Sequence, residues 1–284
     1  MSSSAHNARP EPSTTSNGSS ISRRPDGTAA STRRRQNQGI MADVAEPRIS
    51  IVIPIYNEQG ILHSAVVDLR ERLKPFGWNY EIILAENGSK DRTIELGNEI
   101  AAKYNDPNDG QVRMISMGEP NYGKAMKQGI LLARGELVIC EEIDLCDTDF
   151  HRRAIEILDS GEADMVIGSK LAAGSEDDRP MMRHAASVAY SGLLKALLGF
   201  RGTDTHGLKA FRRLALLDIV RACLVDKDVF ASEFVIRADR GGVKVKEIPV
   251  RVMEKRAPSI NLFKRVPNVL KSLVKLTYAI RIRG

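Results

Sequence analysis

The feature that most constrains the fold is a regular alternation of short apolar runs with amphipathic segments, which begins at Ile49. Alternation of this kind is typical of βαβ units, in which helices join parallel strands and cover the sheet. After the first run, Leu62, Val66 and Leu69 recur at helical spacing. The sequence therefore predicts an α/β fold with a mainly parallel sheet flanked by helices. The predicted strands are Ile49–Ile53, Tyr80–Ala85, Val112–Ser116, Leu137–Cys140 and Asp164–Gly168.

The first residues of the chain differ from the rest in composition. Residues 1–46 are rich in serine, threonine, glycine, proline and arginine and contain no aromatic residue. Such a segment has little to bury in exchange for ordering its backbone, which predicts a disordered tail. The tail lacks the apolar stretch of a secretory signal, but its composition also suits a transit peptide. Translation could begin at Met1 or at Met41, which lies just before the first predicted strand.

The last segment, residues 259–284, has the pattern of a basic amphipathic helix. Such a helix can lie in the interface of an anionic membrane, or it can pack back on the domain with its basic face in solvent. The sequence leaves both alternatives open. The apolar positions are Leu262, Phe263, Val266, Val269, Leu270, Leu273, Leu276 and Ile280, and the basic ones are Lys264, Arg265, Lys271, Lys275 and Arg281.

The apolar runs do not indicate a membrane-spanning helix, and the cysteines do not indicate an extracellular protein. The apolar run Ile49–Ile55 falls well short of the roughly 20 residues that a membrane-spanning helix needs. Cys140, Cys146 and Cys223 are odd in number and have no paired metal-binding spacing. The sequence therefore predicts a cytoplasmic protein, held at the cytoplasmic face of a membrane if the C-terminal helix binds one.

Polar loops follow the first two predicted strands. Residues Pro54–Glu58 end the first strand and Glu86–Thr93 end the second. Because the carboxyl ends of parallel strands share one edge of a sheet, we expect both loops to face the same crevice. Acidic and amide side chains there can bind a nucleobase edge and ribose hydroxyls, and no glycine-rich dinucleotide motif is present. Each loop alone is also explained as a turn, with Asp91 as a helix N-cap.

An acidic stretch, Glu141–Asp149, follows the fourth predicted strand. Carboxylates this close repel one another, and a divalent cation such as Mg²⁺ or Mn²⁺ is their natural counter-charge. Carboxylates that flank a single residue at the end of a strand can coordinate one cation together with diphosphate oxygens. The alternative is an acidic loop that is merely solvated.

The order of these motifs resembles that of family 2 glycosyltransferases, which implies a Rossmann-like GT-A fold. The resemblance assigns residues 47–258 to the catalytic domain. Further motifs are similar to those of the dolichyl- or polyprenyl-phosphate hexosyltransferases, which move mannose or glucose from a nucleotide diphosphate onto a lipid phosphate. The family motifs are Val52–Glu58, Glu86–Asp91, Asn121–Ala125 with Gly129, Ala133–Glu136 and Glu142–Leu145, and the branch motifs are Val166–Lys170, Arg183 with Ser187, Asp204–Phe211 and Glu247–Val250.

The resemblance implies roles for individual residues. Asp144 and Glu142 are expected to bind Mg²⁺ or Mn²⁺, and Asp144 to act in catalysis together with three basic residues that hold phosphates. A lone arginine or lysine is more often part of a surface salt bridge. The expected basic catalytic residues are Arg183, Lys209 and Arg256, and the expected nucleotide-sugar contacts are Pro54, Tyr56, Glu58, Glu86, Gly88, Ser89, Lys124, Glu142, Lys170 and Ser187.

The chain departs from the family pattern at several of these positions. Glu86-Asn87 stands where the family usually has two aspartates, and Glu142 replaces the first aspartate of the Asp-x-Asp metal motif. Glutamate reaches one methylene further, so nucleoside and metal are expected to be held differently. Lys170 and Lys209 replace arginines, which keeps the charge and loses bidentate phosphate geometry.

The implied enzyme transfers a hexose from GDP-mannose or UDP-glucose to a polyprenyl or dolichyl phosphate, with inversion and a divalent metal. A lipid phosphate is already anionic, so positioning and charge neutralisation do the catalytic work. Two alternatives stay open: a soluble glycosyltransferase with a non-lipid acceptor and Asp147 or Asp149 as base, and a non-catalytic nucleotide-sugar binding protein. The net charge of +6 arises from basic ends around an acidic middle, which argues against nucleic acid as a partner.

Overall fold

The computed structural model describes residues 46–177, 181–225, 227, 229–252 and 262–283. At residues 177, 183, 252, 262–266, 268 and 269 it describes the backbone alone. The predicted tail lies outside these residues except for Glu46, so its disorder stays a prediction.

Strands and helices alternate through most of the described chain. A short 3-10 helix, Lys74–Phe76, follows the first helix. The strands are β1 (Ile49–Ile55), β2 (Tyr80–Glu86), β3 (Gln111–Ser116), β4 (Leu137–Cys140), β5 (Met165–Ser169), β6 (Glu176–Asp177), β7 (Lys209–Arg212), β8 (Val245–Pro249) and β9 (Arg251–Val252). The helices are α1 (Leu62–Leu73), α2 (Thr93–Lys103), α3 (Tyr122–Leu132), α4 (Thr148–Asp159), α5 (Met181–Leu198), α6 (Arg213–Ala222), α7 (Phe230–Arg240) and α8 (Leu262–Arg281).

Seven of the strands form one sheet in the order β3-β2-β1-β4-β7-β5-β8. All neighbours in it are parallel except that β7 runs antiparallel to both β4 and β5. The chain passes from β1 out to β3 and then returns to β4 on the other side of β1. In open α/β sheets such a reversal of strand order opens a crevice at the carboxyl ends of the strands. The two remaining strands, β6 and β9, pair with each other.

Helices cover both faces of this sheet. Every residue of β1 is buried, as expected for a central strand of a parallel sheet. Successive side chains point to opposite faces. Ile51 and Ile53 belong to a core with Leu69 of α1, whereas Val52 belongs to a second core with Phe234 of α7.

The predicted fold class, an α/β protein with a mainly parallel sheet flanked by helices, is confirmed. Strands β1 to β5 fall within two residues of their predicted bounds. Strand β7 was not predicted, because Lys209–Arg212 is only four residues long and borders α6 without a turn signal.

The C-terminal helix, α8, has two kinds of apolar residue. Leu273, Leu276 and Ile280 are buried in the second core, as expected of a helix that packs back on the domain. Val274 on α8 and Ile282 just after it each remain 70% exposed. The part of the chain that the structure describes contains no helix with the length and apolar character needed to span a bilayer.

Candidate active site

The loops that follow β1 and β2 are joined by hydrogen bonds at the carboxyl edge of the sheet. The Asn57 N–H donates to Ser89 Oγ at 3.0 Å, and the Lys90 N–H donates to Asn57 Oδ1 at 2.8 Å. The Glu58 N–H donates to Thr93 Oγ1 at 2.7 Å. Asn57 has φ = +54°, a conformation that asparagine tolerates better than most residues. The structure thus brings the two predicted nucleoside loops side by side.

A third loop, between β3 and α3, closes on the loop after β2. Gly88 has φ = +72°, and a Cβ there would lie 2.5 Å from the carbonyl carbon of Glu119 and 2.6 Å from Pro120 N. The neighbouring Asn87 is buried and accepts a hydrogen bond from the Asn121 N–H through Oδ1. Both the positive φ and the close approach require glycine at position 88.

The carboxylate of Glu86 accepts hydrogen bonds from two of these neighbouring segments. Glu86 is fully buried. Its Oε2 accepts a hydrogen bond from the Ser116 hydroxyl at 2.5 Å, and its Oε1 accepts one from the Ser89 N–H. Glu86 therefore joins the ends of β2 and β3.

Three other predicted nucleotide-sugar residues lie at the same edge of the sheet. Pro54 is buried within β1, and Tyr56, just after that strand, is 40% exposed. Lys124, in the first turn of α3, has its Nζ 2.6 Å from Glu119 Oε1. The structure therefore gathers these side chains around the loops after β1, β2 and β3.

The acidic loop, residues Glu141–Asp147, joins β4 to α4 at this edge. Its side chains differ in exposure: Glu141 is buried, whereas Glu142 and Asp144 are partly buried. The hydroxyl of Tyr122, the first residue of α3, donates to Glu142 Oε1 at 2.5 Å. The first acid of the predicted metal motif is thus held by a phenol across the crevice.

Burial and like charges raise the pKa of Glu142 to about 7. Burial is the larger cause, and the neighbouring Glu141 and Asp144 carboxylates add to it, whereas Tyr122 and Lys209 oppose it. The pKa of Tyr122 is raised well above its usual range, first by burial and then by Glu142. The surroundings of Glu142 therefore disfavour its charged form, which a bound cation would stabilise.

This arrangement fits a divalent cation bound by few protein ligands. Glu142 and Asp144 offer carboxylate oxygens, the donors that Mg²⁺ and Mn²⁺ prefer. Within the described ranges, no three His, Cys, Asp or Glu side chains are grouped so as to hold a metal ion. A cation here would need further ligands from a bound diphosphate or water.

Two lysines lie at the same edge of the sheet as the acidic loop. Lys209 of β7 is buried, pairs in register with Cys140, and donates from Nζ to the Gly207 carbonyl at 2.6 Å. Burial lowers the pKa of Lys209 and raises that of the Cys140 thiol to about 12, so this cysteine stays protonated. Lys170, just after β5, lies with its Nζ 2.9 Å from Asp204 Oδ2. Burial opposes ionisation of Asp204, but Lys170 holds its pKa below the usual value.

Two of the predicted phosphate-binding side chains are not described. Ser187 is partly buried on α5, and the backbone of Arg183 lies one turn earlier on the same helix. The side chain of Arg183 and the whole of Arg256 fall outside the described residues. The roles predicted for these two arginines stay predictions.

Three residues that contact the site had no role predicted from the sequence. Tyr122 holds Glu142, and the buried pair Glu141 and His151 lies behind the acidic loop. The glutamate at position 142, where the family has aspartate, could have indicated such a partner, because the longer side chain reaches a residue on another element. No pattern in the sequence pointed to His151.

The family model described as glycosyl transferase family 2 matches residues 50–220. The chain therefore belongs to glycosyl transferase family 2, and the predicted enzyme class is confirmed. The GT-A-like fold is confirmed as well, because the chain superposes on glucosyl-3-phosphoglycerate synthase of Mycobacterium tuberculosis, in complex with Mn²⁺ and UDP-glucose, with a TM-score of 0.56. That match has 19% identity and covers 91% of this chain and 86% of the other.

Curated relatives place the chain near the predicted branch. It is 27% identical to dolichyl-phosphate beta-glucosyltransferase of Saccharomyces cerevisiae, over 84% of this chain and 78% of that protein. It is 28% identical to glycosyltransferase AglD of Haloferax volcanii, over 88% of this chain. The chain spans only 40% of the length of AglD. The resemblance to the polyprenyl-phosphate hexosyltransferase branch is confirmed.

Proposed function

We propose that this protein transfers glucose from UDP-glucose to a polyprenyl or dolichyl phosphate at a membrane surface, with inversion at the anomeric carbon. The observation that carries the proposal is the convergence, at one edge of the sheet, of three polar loops, the acidic loop and two lysines. Relatives named dolichyl-phosphate beta-glucosyltransferase favour glucose and a lipid phosphate. A fold neighbour in complex with UDP-glucose favours uridine over guanosine.

The nucleoside binds against the loops after β1 and β2. Glu58 and Tyr56 reach the nucleoside from the first loop, and Gly88 lets the backbone of the second approach it closely. The hydrogen bonds that join these loops fix their spacing before the donor binds, which lowers the entropy cost of binding.

Glu142 and Asp144 hold a divalent cation, and Lys170 and Lys209 add positive charge near the phosphates. When bound, Mg²⁺ or Mn²⁺ neutralises charge on the diphosphate leaving group. Tyr122, the first residue of α3, donates a hydrogen bond to Glu142 and so helps to orient this carboxylate. Preorganised charges of this kind stabilise a transition state without reorganising.

A lipid phosphate is anionic at neutral pH and attacks the anomeric carbon without a general base. Arg183 and Arg256 are proposed to draw the acceptor phosphate toward the donor, as the branch motifs imply.

Helices α5 and α8 form the proposed membrane surface. Arg281 Nη2 donates to the Leu197 carbonyl at 3.0 Å and so joins the two helices. Exposed apolar side chains on both helices lie among exposed lysines and arginines, which suits the interface of an anionic membrane. The exposed apolar residues on the two helices are Met181, Met182, Val188, Leu193, Leu197, Leu270, Val274 and Tyr278, and Ile282 follows just after α8.

The test is a donor panel assayed with Mg²⁺ or Mn²⁺, with and without a polyprenyl phosphate, that follows release of the nucleoside diphosphate. We expect turnover with UDP-glucose that requires the lipid phosphate. Asp144→Ala should abolish it, and the matched control Asp159→Ala, at the other end of α4, should not. Turnover that is independent of the lipid would overturn the proposed acceptor, and donor binding without any turnover would overturn the proposed activity.

A further inference from the structure

A buried carboxylate–imidazole pair lies directly behind the acidic loop. Glu141 is 1% exposed and His151, on α4, is fully buried. His151 Nε2 lies 2.7 Å from Glu141 Oε2. Neither side chain can reach solvent, so the pair faces only its own loop and the core.

Glu141 binds both ends of the acidic loop. Its Oε1 accepts a hydrogen bond from the Glu142 N–H at 2.8 Å, and its Oε2 accepts one from the Asp147 N–H at 3.0 Å. With His151, one carboxylate therefore holds the end of β4 and the start of α4 at a fixed separation. Glu142 is the first of the two residues that Glu141 binds, and Asp144 lies between it and Asp147.

His151 makes its one described side-chain hydrogen bond to Glu141. Its Nδ1 is buried and has no hydrogen-bond partner among the described residues. Because Glu141 Oε2 already accepts the Asp147 N–H, we assign the proton to His151 Nε2, which then donates. Burying a ring with one nitrogen unpaired costs stability, which an apolar side chain at this position would avoid. The hydrogen bond to Glu141 therefore explains why a histidine, and not an apolar residue, occupies this position.

The rest of the loop is a tight turn that depends on its ends. The Leu145 and Cys146 N–H groups both donate to the Glu142 carbonyl, at 3.0 and 3.2 Å. Cys146 has φ = +44°, which is unfavourable for a side chain of this type. A strained turn keeps its shape when surrounding contacts over-determine it, and Glu141 supplies such contacts on both sides.

We infer that Glu141 and His151 are positioning residues, which set the separation and direction of Glu142 and Asp144 for a divalent cation. They touch neither the cation nor the sugar. This inference rests on the proposed metal-dependent transfer. Outer partners of metal ligands commonly change metal affinity or activity by about 10- to 100-fold when they are removed.

The sharpest test compares His151→Gln with His151→Asn. The Gln amide nitrogen ends near the position of Nε2 and can still donate to Glu141, whereas the shorter Asn side chain ends near Nδ1 and cannot. We expect His151→Gln to keep the Mn²⁺ affinity, measured by electron paramagnetic resonance with UDP present. We expect His151→Asn and Glu141→Gln to weaken it about 10- to 100-fold and to lower kcat at saturating Mn²⁺.

A matched control is Glu81→Gln, which alters another fully buried, multiply hydrogen-bonded carboxylate at the opposite edge of the sheet. It should lower the melting temperature and leave Mn²⁺ affinity and kcat unchanged below that temperature. If His151→Gln and His151→Asn behave alike, or if Glu81→Gln matches Glu141→Gln in Mn²⁺ affinity, the pair is structural and the inference fails. Wild-type protein that binds no Mn²⁺ with UDP would instead overturn the proposed function itself.

Discussion

A fully buried glutamate, Glu81, and a partly buried one, Glu142, lie at opposite edges of the same sheet and have opposite electrostatic surroundings. Glu81, near the start of β2, accepts hydrogen bonds from Ser50, Arg113 and Arg134. Burial alone would raise its pKa, but these bonds lower it below the usual value. Glu142, after the end of β4, has a pKa raised to about 7 by burial and neighbouring carboxylates. At one edge the chain's own residues stabilise the charged form of a glutamate, and at the other they disfavour it.

The largest expected effect lies at the charged edge. Asp144→Asn should lower kcat/KM by about 1,000-fold, because loss of a cation ligand removes several kcal/mol of transition-state stabilisation. The measurement is steady-state transfer with UDP-glucose and a polyprenyl phosphate. The control is Asp159→Asn, which alters an exposed carboxylate that pairs with Arg48 at the other edge of the sheet. It should change the rate less than twofold. Equal losses in both variants would contradict a special role for the acidic loop.

The two glutamates should respond with opposite signs to removal of their charge. The lowered pKa of Glu81 stabilises the fold above the unfolded-state pKa near 4.5, and this contribution is lost as the pH falls through the folded-state value. The raised pKa of Glu142 has the opposite effect. The free energy of unfolding of the metal-free protein declines as the pH rises from about 4.5 to about 7.

At pH 8 with chelator, Glu81→Gln should therefore lower the free energy of unfolding by about 3 kcal/mol, and Glu142→Gln should raise it by about 1–3 kcal/mol. Urea unfolding at pH 4 and pH 8 measures both. If Glu142→Gln destabilised the protein at pH 8, the contrast between the two edges would be wrong.

A pair of glycines sharpens the same comparison. Gly77, just before β2, has φ = +61° and open space around its missing Cβ, whereas Gly88 has a similar φ and a backbone neighbour at 2.5 Å. Gly77→Ala should cost about 1 kcal/mol from conformation alone. Gly88→Ala should cost about 1–3 kcal/mol more and also weaken UDP binding, because the loop after β2 must move. Thermal unfolding and calorimetric titration with UDP separate the two effects.

The smallest expected effect is at the surface of α8. Val274→Asp should weaken binding to vesicles containing anionic lipid about tenfold, since one exposed valine contributes on the order of 1–2 kcal/mol when buried. Leu214→Asp, which alters a residue that is 76% exposed on α6, should not change flotation with the same vesicles. Unchanged binding in Val274→Asp would remove α8 from the proposed membrane surface.

The sequence predicted those parts of the fold that depend on local periodicity. Strands β1 to β5 and the polar loops that follow them were predicted because each is an uninterrupted run with a clear end. The antiparallel strand β7 was missed, because its partners β4 and β5 precede it by more than 40 residues in the sequence. Pairings at such separation leave no local pattern.

The candidate site was predictable to a similar extent. The acidic stretch was identified from its composition, and the resemblance to the family singled out Glu142 and Asp144 within it. The metal-binding role of these two residues and the roles of Arg183 and Arg256 remain predictions. The contact between Tyr122 and Glu142 and the pair Glu141–His151 were not predictable, because helix ends from separate segments meet the loop only in the folded chain. Burial, which sets the pKa of Glu142, likewise follows from the packing of several elements.

The insertion of β7 between β4 and β5 has a consequence for the order in which the protein assembles during synthesis. Strands β1, β2 and β3 find all their neighbours within the first part of the chain, whereas β4 has one partner, β7, later in the chain and β5 pairs only with the later strands β7 and β8. Contacts between distant segments form late and slow folding. The acidic loop therefore acquires its neighbouring Lys209 only after the ribosome has passed β7, and shorter nascent chains carry an unfinished site.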